Sequence, residues 1–548
     1  MFCRGLFPQR RKRAKKILPL RLCAFAGDIL LLLCFAFAFE TEVTAQDSLA
    51  LRQSRGRQIY LQGTSPSSKD ILAYIGDESL EVPGSSMTCA GCHGLDGRGK
   101  PEGGINPSNL TWEFLTKPYG LKHADGRQHP PYTERGLELA ITRGIDPAGN
   151  KLLNAMPRYV MSREDLADLV AYLQLLGKER DPGISENKIV IGTLVPPTGA
   201  LAELGRSVTA VTNAFFEELN SQGGIYGRRL ELRVIETAES PAATRAKIEP
   251  LLKDQQLFAM SGAIIAGSEK EIIPLLSQEE TPLIGPLTLY PQIGFPLNRH
   301  VFYLLSGVRG QARTLINFVA RRSELKDFNI GVIYPRSDLN AGVAEAIKDQ
   351  KKKDGSTLPI VLEYAAGRFD AVDTIKQVRQ PSVEIFFFLG NTDEALSFMR
   401  EAEKLNWFPT MLVPGGSIGS GVFAAPAGFD RKVFFSLPTS PVDQTAEGLK
   451  EFRALAVKYK LPSSHLAAQL SAYVAAKILV EAIRRVGKDV SRDRLIQELE
   501  GLYEYPTGLT PAITYGPNRR IGASGAYVVT IDLKEKQFVP ASNWIDSQ

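Results

Sequence analysis

Two thiols and an imidazole lie within five consecutive residues, from Cys89 to His93. In a Cys-x-x-Cys-His motif the two cysteines can add to the vinyl groups of a haem, and the adjacent imidazole can bind its iron. Zinc or a redox dithiol is the alternative, but zinc needs two further ligands. After residue 34 the chain has no other cysteine, and only His123 and His129 are near. The spacing therefore predicts one covalent haem c, held by Cys89, Cys92 and His93.

A sixth iron ligand is expected in the loop of residues 154–159, where Met156 precedes a proline. A thioether opposite the imidazole closes the iron and raises its reduction potential, whereas an open position permits ligand chemistry. Met161 and a histidine are the alternatives to Met156. A helix should follow, beginning at Ser162 with Asp165 as a capping partner. Its apolar face comprises Leu166, Leu169, Val170, Leu173 and Leu176. An imidazole and a thioether together indicate an electron carrier.

Residues 49–177 resemble a class I cytochrome c, an all-α fold. The resemblance rests on residues 56–60, 89–93, 94–99, 156–157 and 170–173. In that family the first and last helices cross, which implies that Gly56 and Tyr60 lie near Leu169 and Tyr172. A proline carbonyl usually accepts the N–H of the proximal imidazole, and the resemblance gives this role to Pro107.

The first 45 residues carry the net charge of the chain, because eight of them are basic and three are acidic. Without them, 57 basic and 57 acidic side chains remain, which argues against a nucleic-acid partner. A basic start, the apolar run 29–39 and Val43-Thr44-Ala45 predict a secretory signal peptide, cleaved after Ala45, and a periplasmic protein. An uncleaved membrane anchor is the alternative, although Gly27 and Asp28 leave the apolar run shorter than the ~20 residues of a spanning helix.

Apolar β-type runs alternate with helix-length segments from Lys188 onward. This alternation predicts βαβ units in two α/β halves. In the first half strands are expected at 189–195, 230–235 and 257–260, with helices at 207–219 and 242–253. In the second half strands are expected at 329–333, 358–362, 384–389 and 410–413.

Residues 188–548 resemble the type I periplasmic solute-binding proteins of the branched-chain amino acid and amide receptor group. The resemblance rests on residues 191–194, 198–199, 205–206, 220–228 and 281–284. It implies two doubly wound lobes joined by three crossings. The predicted order is a signal peptide (1–45), a cytochrome c domain (46–180), a linker (181–187) and a solute-binding domain (188–548). Lobe 1 is expected at 188–306 and 438–513, and lobe 2 at 307–437 and 514–548.

Ligands of open α/β sheets bind beyond the carboxyl ends of the strands, and the resemblance places a solute cleft there. The candidate ligand-binding residues are Thr198, Ala263, Ser268, Pro286, Thr288, Asp338 and Asn391. In amino acid receptors of this group, hydroxyls and backbone N–H groups hold the ligand carboxylate, which makes Ser268 and Thr288 the polar candidates. Ser268 could instead cap the helix that follows it.

The second lobe departs from the family pattern. The loop that should hold a carboxylate for the ligand ammonium is Pro414-Gly415-Gly416-Ser417, and the expected tyrosine near residues 334–340 is missing. An unpaired buried ammonium costs several kcal/mol. The sequence therefore argues against an ordinary α-amino acid and favours an amide, a urea-like compound, a small carboxylate or an alcohol-derived metabolite.

The favoured function is an exported electron-carrying cytochrome fused to a solute-binding domain, similar to the cytochrome-fused binding proteins associated with quinoprotein alcohol oxidation. Its partner would be a quinoprotein dehydrogenase or another periplasmic electron-transfer protein. One alternative is a receptor for an inner-membrane ABC permease, with the haem as a redox sensor. The other is a haem oxidoreductase that uses the cleft for substrate, but residues 188–548 offer no recognisable nucleophile or metal cluster, and His300 and His465 are isolated.

Overall fold

The computed structural model describes residues 49–547 except 68, 77–79, 100–103, 124–125, 178–179, 255, 326–328, 354–358, 380–382 and 416–417. The predicted signal peptide lies outside the described residues. The chain divides into two compact units, residues 1–179 and 180–548. Each unit has its own hydrophobic core.

Helices surround a small sheet in the first unit. The elements are α1 (residues 49–62), β1 (Leu72–Ile75), β2 (Leu80–Pro83), α2 (Cys89–His93), α3 (Trp112–Leu115), β3 (Leu121–Lys122), β4 (Gln128–His129), α4 (Glu134–Arg143), β5 (Arg158–Val160) and α5 (Arg163–Leu175). Strands β2, β1 and β5 form an antiparallel sheet, and β3 pairs with β4. The unit is helical as expected, with two small sheets that the sequence did not predict.

The first and last helices of this unit cross as the cytochrome resemblance implies. A Cβ added at Gly56 would lie 2.0 Å from the carbonyl oxygen of Asp168 and 2.8 Å from Cβ of Tyr172. The rings of Tyr60 and Tyr172 have centroids 5.4 Å apart. Only a residue without a side chain at position 56 allows this approach. The predicted cap is also present, because the Ser162 hydroxyl accepts the Asp165 N–H at the start of α5.

The second unit begins with a first set of strands and helices that alternate up to β9, and it continues into a second set. The first set is β6 (Lys188–Val195), α6 (Ala202–Ser221), β7 (Arg229–Glu236), α7 (Pro241–Lys253), β8 (Ala259–Ser261), α8 (Glu269–Gln278), β9 (Leu283–Ile284) and β10 (Val301–Leu305). The second set is α9 (Val308–Ala320), β11 (Asn329–Pro335), α10 (Asp338–Lys353), β12 (Ile360–Tyr364), α11 (Ala371–Val378), β13 (Val383–Phe388), α12 (Thr392–Lys404), β14 (Thr410–Pro414) and β15 (Val433–Leu437). The last elements are α13 (Ala446–Lys458), α14 (Leu466–Val486), α15 (Arg492–Glu500), β16 (Ile521–Ala523), β17 (Gly525–Asp532), β18 (Gln537–Pro540) and β19 (Ile545–Asp546).

Two sheets define the two lobes of this unit. The first lobe has the order β16-β10-β9-β8-β6-β7, with all strands parallel. The second lobe has the order β12-β11-β13-β14-β15-β17-β18, in which β17 and β18 are antiparallel to their neighbours and β19 pairs with β17. Helices cover both faces of parallel sheets of this kind. The doubly wound lobes expected from the resemblance are therefore present.

Two predicted boundaries shift. The last crossing between lobes was expected at 513/514, but Ile521 and Ala523 pair with β10 in the first lobe, so the chain crosses at Ser524. This crossing is hydrogen-bonded to the earlier one, which runs from β10 of the first lobe to α9 of the second. The N–H of Ser306 donates to the carbonyl oxygen of Ala523 (3.1 Å), and its hydroxyl donates to the carbonyl oxygen of Gly525 (2.7 Å). Residues 181–187, predicted as a linker, pack on the first lobe instead, where Gly183 accepts the N–H of Val190 at 2.9 Å.

Helix α14 is mainly apolar, with charged residues at Lys477, Glu481, Arg484 and Arg485. Within the described part of the chain it is the one helix long and apolar enough to cross a membrane, and 61% of its most apolar window is buried. Ala472, Val474, Leu479 and Ile483 have no exposed surface and belong to the core of the first lobe. The helix is therefore accounted for as the central core helix of that lobe.

Candidate haem pocket and solute cleft

Helix α2 places the three residues of the motif in the wall of one cavity. Thr88 caps this single turn by accepting the N–H of Gly91 at 3.2 Å. Cys89, Cys92 and His93 all line a cavity of about 330 Å³. Apolar side chains supply much of the remaining wall, among them Leu110, Leu115, Leu137, Ile141, Leu152, Leu169 and Leu173. Two thiols and an imidazole thus face a space that is otherwise largely apolar.

The imidazole of His93 is held by a backbone carbonyl. Its side chain is 7% exposed, and Nδ1 lies 2.8 Å from the carbonyl oxygen of Ser108. When Nδ1–H donates to that oxygen, Nε2 is the nitrogen left to bind iron. Burial lowers the pKa of His93, which favours the neutral ring that a metal requires. The expected acceptor, Pro107, is wrong by one residue, because its carbonyl packs against Gly99.

Met156 lines the same cavity, together with Pro157. Met161, the alternative, is absent from the described lining and packs against the core of the unit. Met87, which was not among the expected iron ligands, also lines the cavity. Arg158 secures the loop by donating to the carbonyl oxygens of Met156 and Leu152. The structure therefore brings the predicted thioether and the predicted imidazole into one pocket.

Polar side chains occupy another part of this wall. His123 and His129 lie with their Nε2 atoms 3.0 Å apart, and Nη1 of Arg127 donates to Asp146 at 3.0 Å. Burial acts to raise the pKa of Asp146, but hydrogen bonds from Asn150, Arg127 and the backbone outweigh it and hold that pKa below its usual range. The hairpin of β3 and β4 brings His123, Arg127 and His129 to the cavity. Strands as short as these leave no periodic signal in a sequence.

The pocket fits a haem better than a bare metal ion. Within the described residues no group of three or more His, Cys, Asp and Glu side chains could hold a metal. The cavity combines an oriented imidazole, a thioether, two thiols, apolar walls and a cationic side chain. A flat apolar macrocycle with two carboxylates matches this set of groups.

The predicted cleft residues of the first lobe differ in what they offer a ligand. Ala263 and Pro286 are buried, and Thr198 is exposed. Ser268 occupies the N-cap position of α8, but its hydroxyl makes no capping bond. Thr288 donates its hydroxyl to the buried carboxylate of Glu269 at 2.5 Å and accepts the N–H of Tyr290 at 2.9 Å. Of the two polar candidates, Ser268 therefore has the less engaged hydroxyl.

The second lobe contributes Asp338 and Asn391 in different settings. Asp338 accepts a hydrogen bond from Lys270 of the first lobe at 2.9 Å, which lowers the pKa of its carboxyl. Asn391 caps α12 by accepting the N–H of Glu394 at 3.0 Å. The structure therefore brings Asp338 to the first lobe, whereas Asn391 serves its own helix. Gly416 and Ser417, from the loop after β14, lie outside the described residues.

A second contact joins the lobes near the first. The Tyr290 hydroxyl lies 3.2 Å from Oδ1 of Asn340. Sequence reasoning missed Lys270, Tyr290 and Asn340, because contacts between lobes depend on how far the two sheets approach each other. The two bonds place the start of α8 and the loop after β9 opposite the start of α10 across the cleft.

Residues 188–537 match the model of a family described as periplasmic binding protein. That match spans more than half of the sequence. The chain belongs to the periplasmic binding protein family. Residues 85–177 match the cytochrome c family, and a cytochrome c domain implies a haem. The protein therefore combines a cytochrome c domain with a periplasmic binding domain.

Similar proteins cover the periplasmic binding domain. A leucine-, isoleucine-, valine-, threonine- and alanine-binding protein of Pseudomonas aeruginosa is 22% identical over 326 residues, which are 59% of this chain and 86% of that protein. A branched chain amino acid ABC transporter protein of Thermus thermophilus, solved with bound valine, has a TM-score of 0.54 and 17% identity over 66% of this chain and 97% of that one. A fatty acid ABC transporter substrate-binding protein of Thermomonospora curvata has a TM-score of 0.53 and 18% identity over 67% and 95%. These structures share the fold.

Proposed function

We propose that the protein is a periplasmic carrier of single electrons, with one haem c in its first unit and a receptor for a small metabolite in its second. The observation that carries the electron-transfer part is that Cys89, Cys92, His93 and Met156 line one apolar cavity. The cysteines would form thioethers with the haem, and His93 and Met156 would ligate its iron. A bound haem of this kind supplies a one-electron couple.

The residues around the cavity support this role. The carbonyl of Ser108 orients the imidazole of His93, which a metal-binding histidine requires. Burial raises the pKa of the Cys89 thiol to about 12, so an uncharged sulfur suits this position, as in a thioether. Leu137, Ile141 and Leu169 are nearly fully buried at the wall and exclude water. A dry site favours the less charged reduced iron and so a higher potential.

The polar part of the wall suits the haem carboxylates. Arg127 is the cationic side chain of the lining, and its pairing with Asp146 fixes the guanidinium in place. Guanidinium groups bind carboxylates through paired N–H donors. His123 and His129 add imidazole nitrogens beside it. We assign the haem propionates to these three residues.

The ligand set can be tested by near-infrared absorption of the oxidised full-length protein. A sulfur-to-iron band is expected in the wild type and should be absent from Met156→Ala. Met161→Ala and Met87→Ala serve as matched controls, because each removes a thioether of the same unit that the proposal does not place on the iron. Retention of the band in Met156→Ala, or rapid binding of cyanide to wild-type iron, would contradict the proposed ligation.

The solute is proposed to be a small metabolite other than an ordinary α-amino acid. Asp338, the acid among the predicted cleft residues, already pairs with Lys270. Thr288, a predicted carboxylate-binding hydroxyl, faces the carboxylate of Glu269, and a second carboxylate there would be repelled. The ammonium of an amino acid would therefore lack a free acid among the predicted residues, and its carboxylate would depend on Ser268 alone of the two predicted hydroxyls.

Calorimetry of the full-length protein tests this choice directly. Acetamide, urea and small alcohol-derived acids are compared with L-leucine and L-valine, the control ligands suggested by the named relatives. We expect weak or no heat from the two amino acids and saturable binding of at least one other compound. Micromolar binding of L-leucine would refute this assignment, and it would leave the haem proposal untouched.

A receptor for an inner-membrane ABC permease, with the haem as a redox sensor, is the second candidate. It is favoured by the completeness of the binding domain, since the match covers 86% of the Pseudomonas protein. The haem potential with and without bound solute separates the two functions, because a sensor requires that solute binding and potential be coupled. An unchanged potential favours an electron carrier whose partner is a quinoprotein dehydrogenase or a similar periplasmic protein.

The cytochrome c and periplasmic binding domains suggest a periplasmic protein. We propose that residues 1–45 are the signal peptide that exports it. Amino-terminal sequencing of the mature protein tests this, with Gln46 as the expected first residue. A chain that begins upstream of Gln46 would favour the membrane-anchor alternative.

A further inference from the structure

A second cavity, of about 420 Å³, lies in the binding unit beside the crossings between its lobes. Residues between 290 and 297 and between 518 and 521 contribute from the first lobe, and the start of α9 contributes from the second. None of the seven predicted cleft residues lines it. The cavity therefore shares Tyr290 with the contact between the lobes but none of the predicted cleft residues, and its wall combines both lobes.

Positive charge dominates this wall. Arg309, Arg313, Arg519 and Arg520 line the cavity, and no aspartate or glutamate does so among the described residues. Arg520 is neutralised by Glu500 at 2.6 Å. Arg519 donates only to two backbone carbonyls, at 3.3 and 3.1 Å. Arg309 and Arg313 have no hydrogen-bonded or ionic partner within the part of the chain that the structure describes. Three arginines thus line one cavity with no acidic partner among the described residues.

The start of α9 adds to this potential. Gly307 is the N-cap of this 13-residue helix and provides no side-chain cap, and Gly307 and Gly310 both line the cavity. The unpaired N–H groups and the dipole of a helix are favourable to an anion at its N-terminus. Ser524 and Ser547 supply hydroxyl donors to the same wall. Donors and positive charges therefore converge in this wall, where the hydroxyls of Ser524 and Ser547 also lie 3.1 Å apart and bond to each other.

We propose that this cavity binds a small multivalent oxyanion, bridging Arg309 and Arg313 of the second lobe and Arg519 of the first. Guanidinium groups pair with carboxylate and phosphate oxygens through two parallel hydrogen bonds. Di- and tricarboxylates and phosphates share the required chemistry. Clustered like charges repel one another, so a bound anion relieves a cost that the empty arrangement carries. The site goes beyond the proposed functions and depends on neither of them.

Titration calorimetry of the full-length protein with citrate and, separately, with inorganic phosphate and pyrophosphate tests the site. Sodium chloride at matched ionic strength controls for general screening. We expect saturable binding of citrate or of a phosphate, with a matching rise in the thermal midpoint of the binding unit. The two arms identify which oxyanion the site prefers. Absence of saturable binding in both arms would overturn the proposal.

Variants locate the binding. Arg309→Gln and Arg313→Gln should each weaken it about tenfold or more, because each removes a charged hydrogen-bonding group. Arg321→Gln is the matched control, since Arg321 is exposed at the opposite end of the same helix. Arg519→Gln provides an independent variant from the first lobe. Equal affinity in the wild type and all three pocket variants would show that the anion binds elsewhere.

Discussion

Replacement of Gly56 by alanine should weaken the crossing of α1 and α5 in the cytochrome domain. The new methyl group would begin 2.0 Å from the carbonyl oxygen of Asp168 and 2.8 Å from Cβ of Tyr172. Non-bonded carbon atoms are at optimal distance at about 3.5 Å or more. The two helices would therefore have to separate by about 1 Å, because neither contact atom is the end of a flexible side chain.

The expected cost follows from these contacts. Overpacking of this kind costs about 1–3 kcal/mol. Separation would also weaken the contact of Tyr60 with Tyr172, whose ring centroids lie 5.4 Å apart, and such pairs contribute about 0.5–1.5 kcal/mol. Alanine is better than glycine in a helix by about 1 kcal/mol, which offsets part of this. A net loss of about 1–3 kcal/mol would lower the melting midpoint of the unit by roughly 4–12 °C.

Thermal unfolding of the full-length holoprotein, followed by Soret absorbance, measures the loss of stability in the unit that carries the haem. Gly136→Ala is the matched control, because position 136 is also helical and its nearest neighbour would be the Thr133 hydroxyl at 3.4 Å. We expect an unchanged or slightly higher midpoint for this control. Equal midpoints for Gly56→Ala and Gly136→Ala would refute the close helix crossing.

Three further predictions concern buried polar groups. Tyr60→Phe removes the hydroxyl that donates to the carbonyl of Gly94 at 2.7 Å, and the Soret melt should show a loss of about 1–3 kcal/mol, in contrast to an exposed Tyr119→Phe control. Asp168→Asn removes the buried carboxylate that Arg55 contacts at 2.6 Å and Arg52 at 3.3 Å, and leaves Arg55 paired with Glu164 at 3.0 Å. The same melt should show a lower midpoint, and an unchanged midpoint would contradict a stabilising role for these pairs. Burial and neighbouring arginines lower the pKa of His300 to about 4. Because the unfolded value is about 6.5, the unfolded chain binds the extra proton between these values, and stability is complete above that range and falls as pH drops through it. Urea unfolding should show that the free energy of unfolding falls by about 2 kcal/mol from pH 7 to pH 5. If His300→Asn shows the same dependence of this free energy on pH, His300 is not the group responsible.

The local motifs of the cytochrome domain could be predicted because their chemistry depends on neighbouring residues. The helix turn of Cys89 to His93 and the cap of Ser162 on Asp165 are set within a few positions of the chain. The approach of Gly56 to the last helix came from the resemblance. The carbonyl that accepts the His93 N–H was predicted one residue too early. A rotation of the backbone decides whether the carbonyl of Pro107 or that of Ser108 faces the ring.

Elements set by distant pairing could not be predicted in the same way. Strand β16 has three residues, too few for an alternating pattern, and only its pairing with β10 assigns it to the first lobe. Arg309 and Arg313 lie one turn apart on α9, but Arg519 is far from both in sequence, and nothing in the sequence indicates that it shares a cavity with them. The cleft partners of Lys270 and Tyr290 likewise depend on the distance between two folded lobes.

The crossing at Ser524 has a mechanical consequence. A single residue separates β16 of one lobe from β17 of the other, and Ser306 ties that crossing to the first one by bonds of 3.1 and 2.7 Å. Two crossing strands that are hydrogen-bonded to each other can bend about one common axis, whereas the hydrogen bonds between them oppose twisting about other axes. Movement of the lobes should therefore follow one angular coordinate, so that a single distance across the cleft would describe how far the receptor has closed.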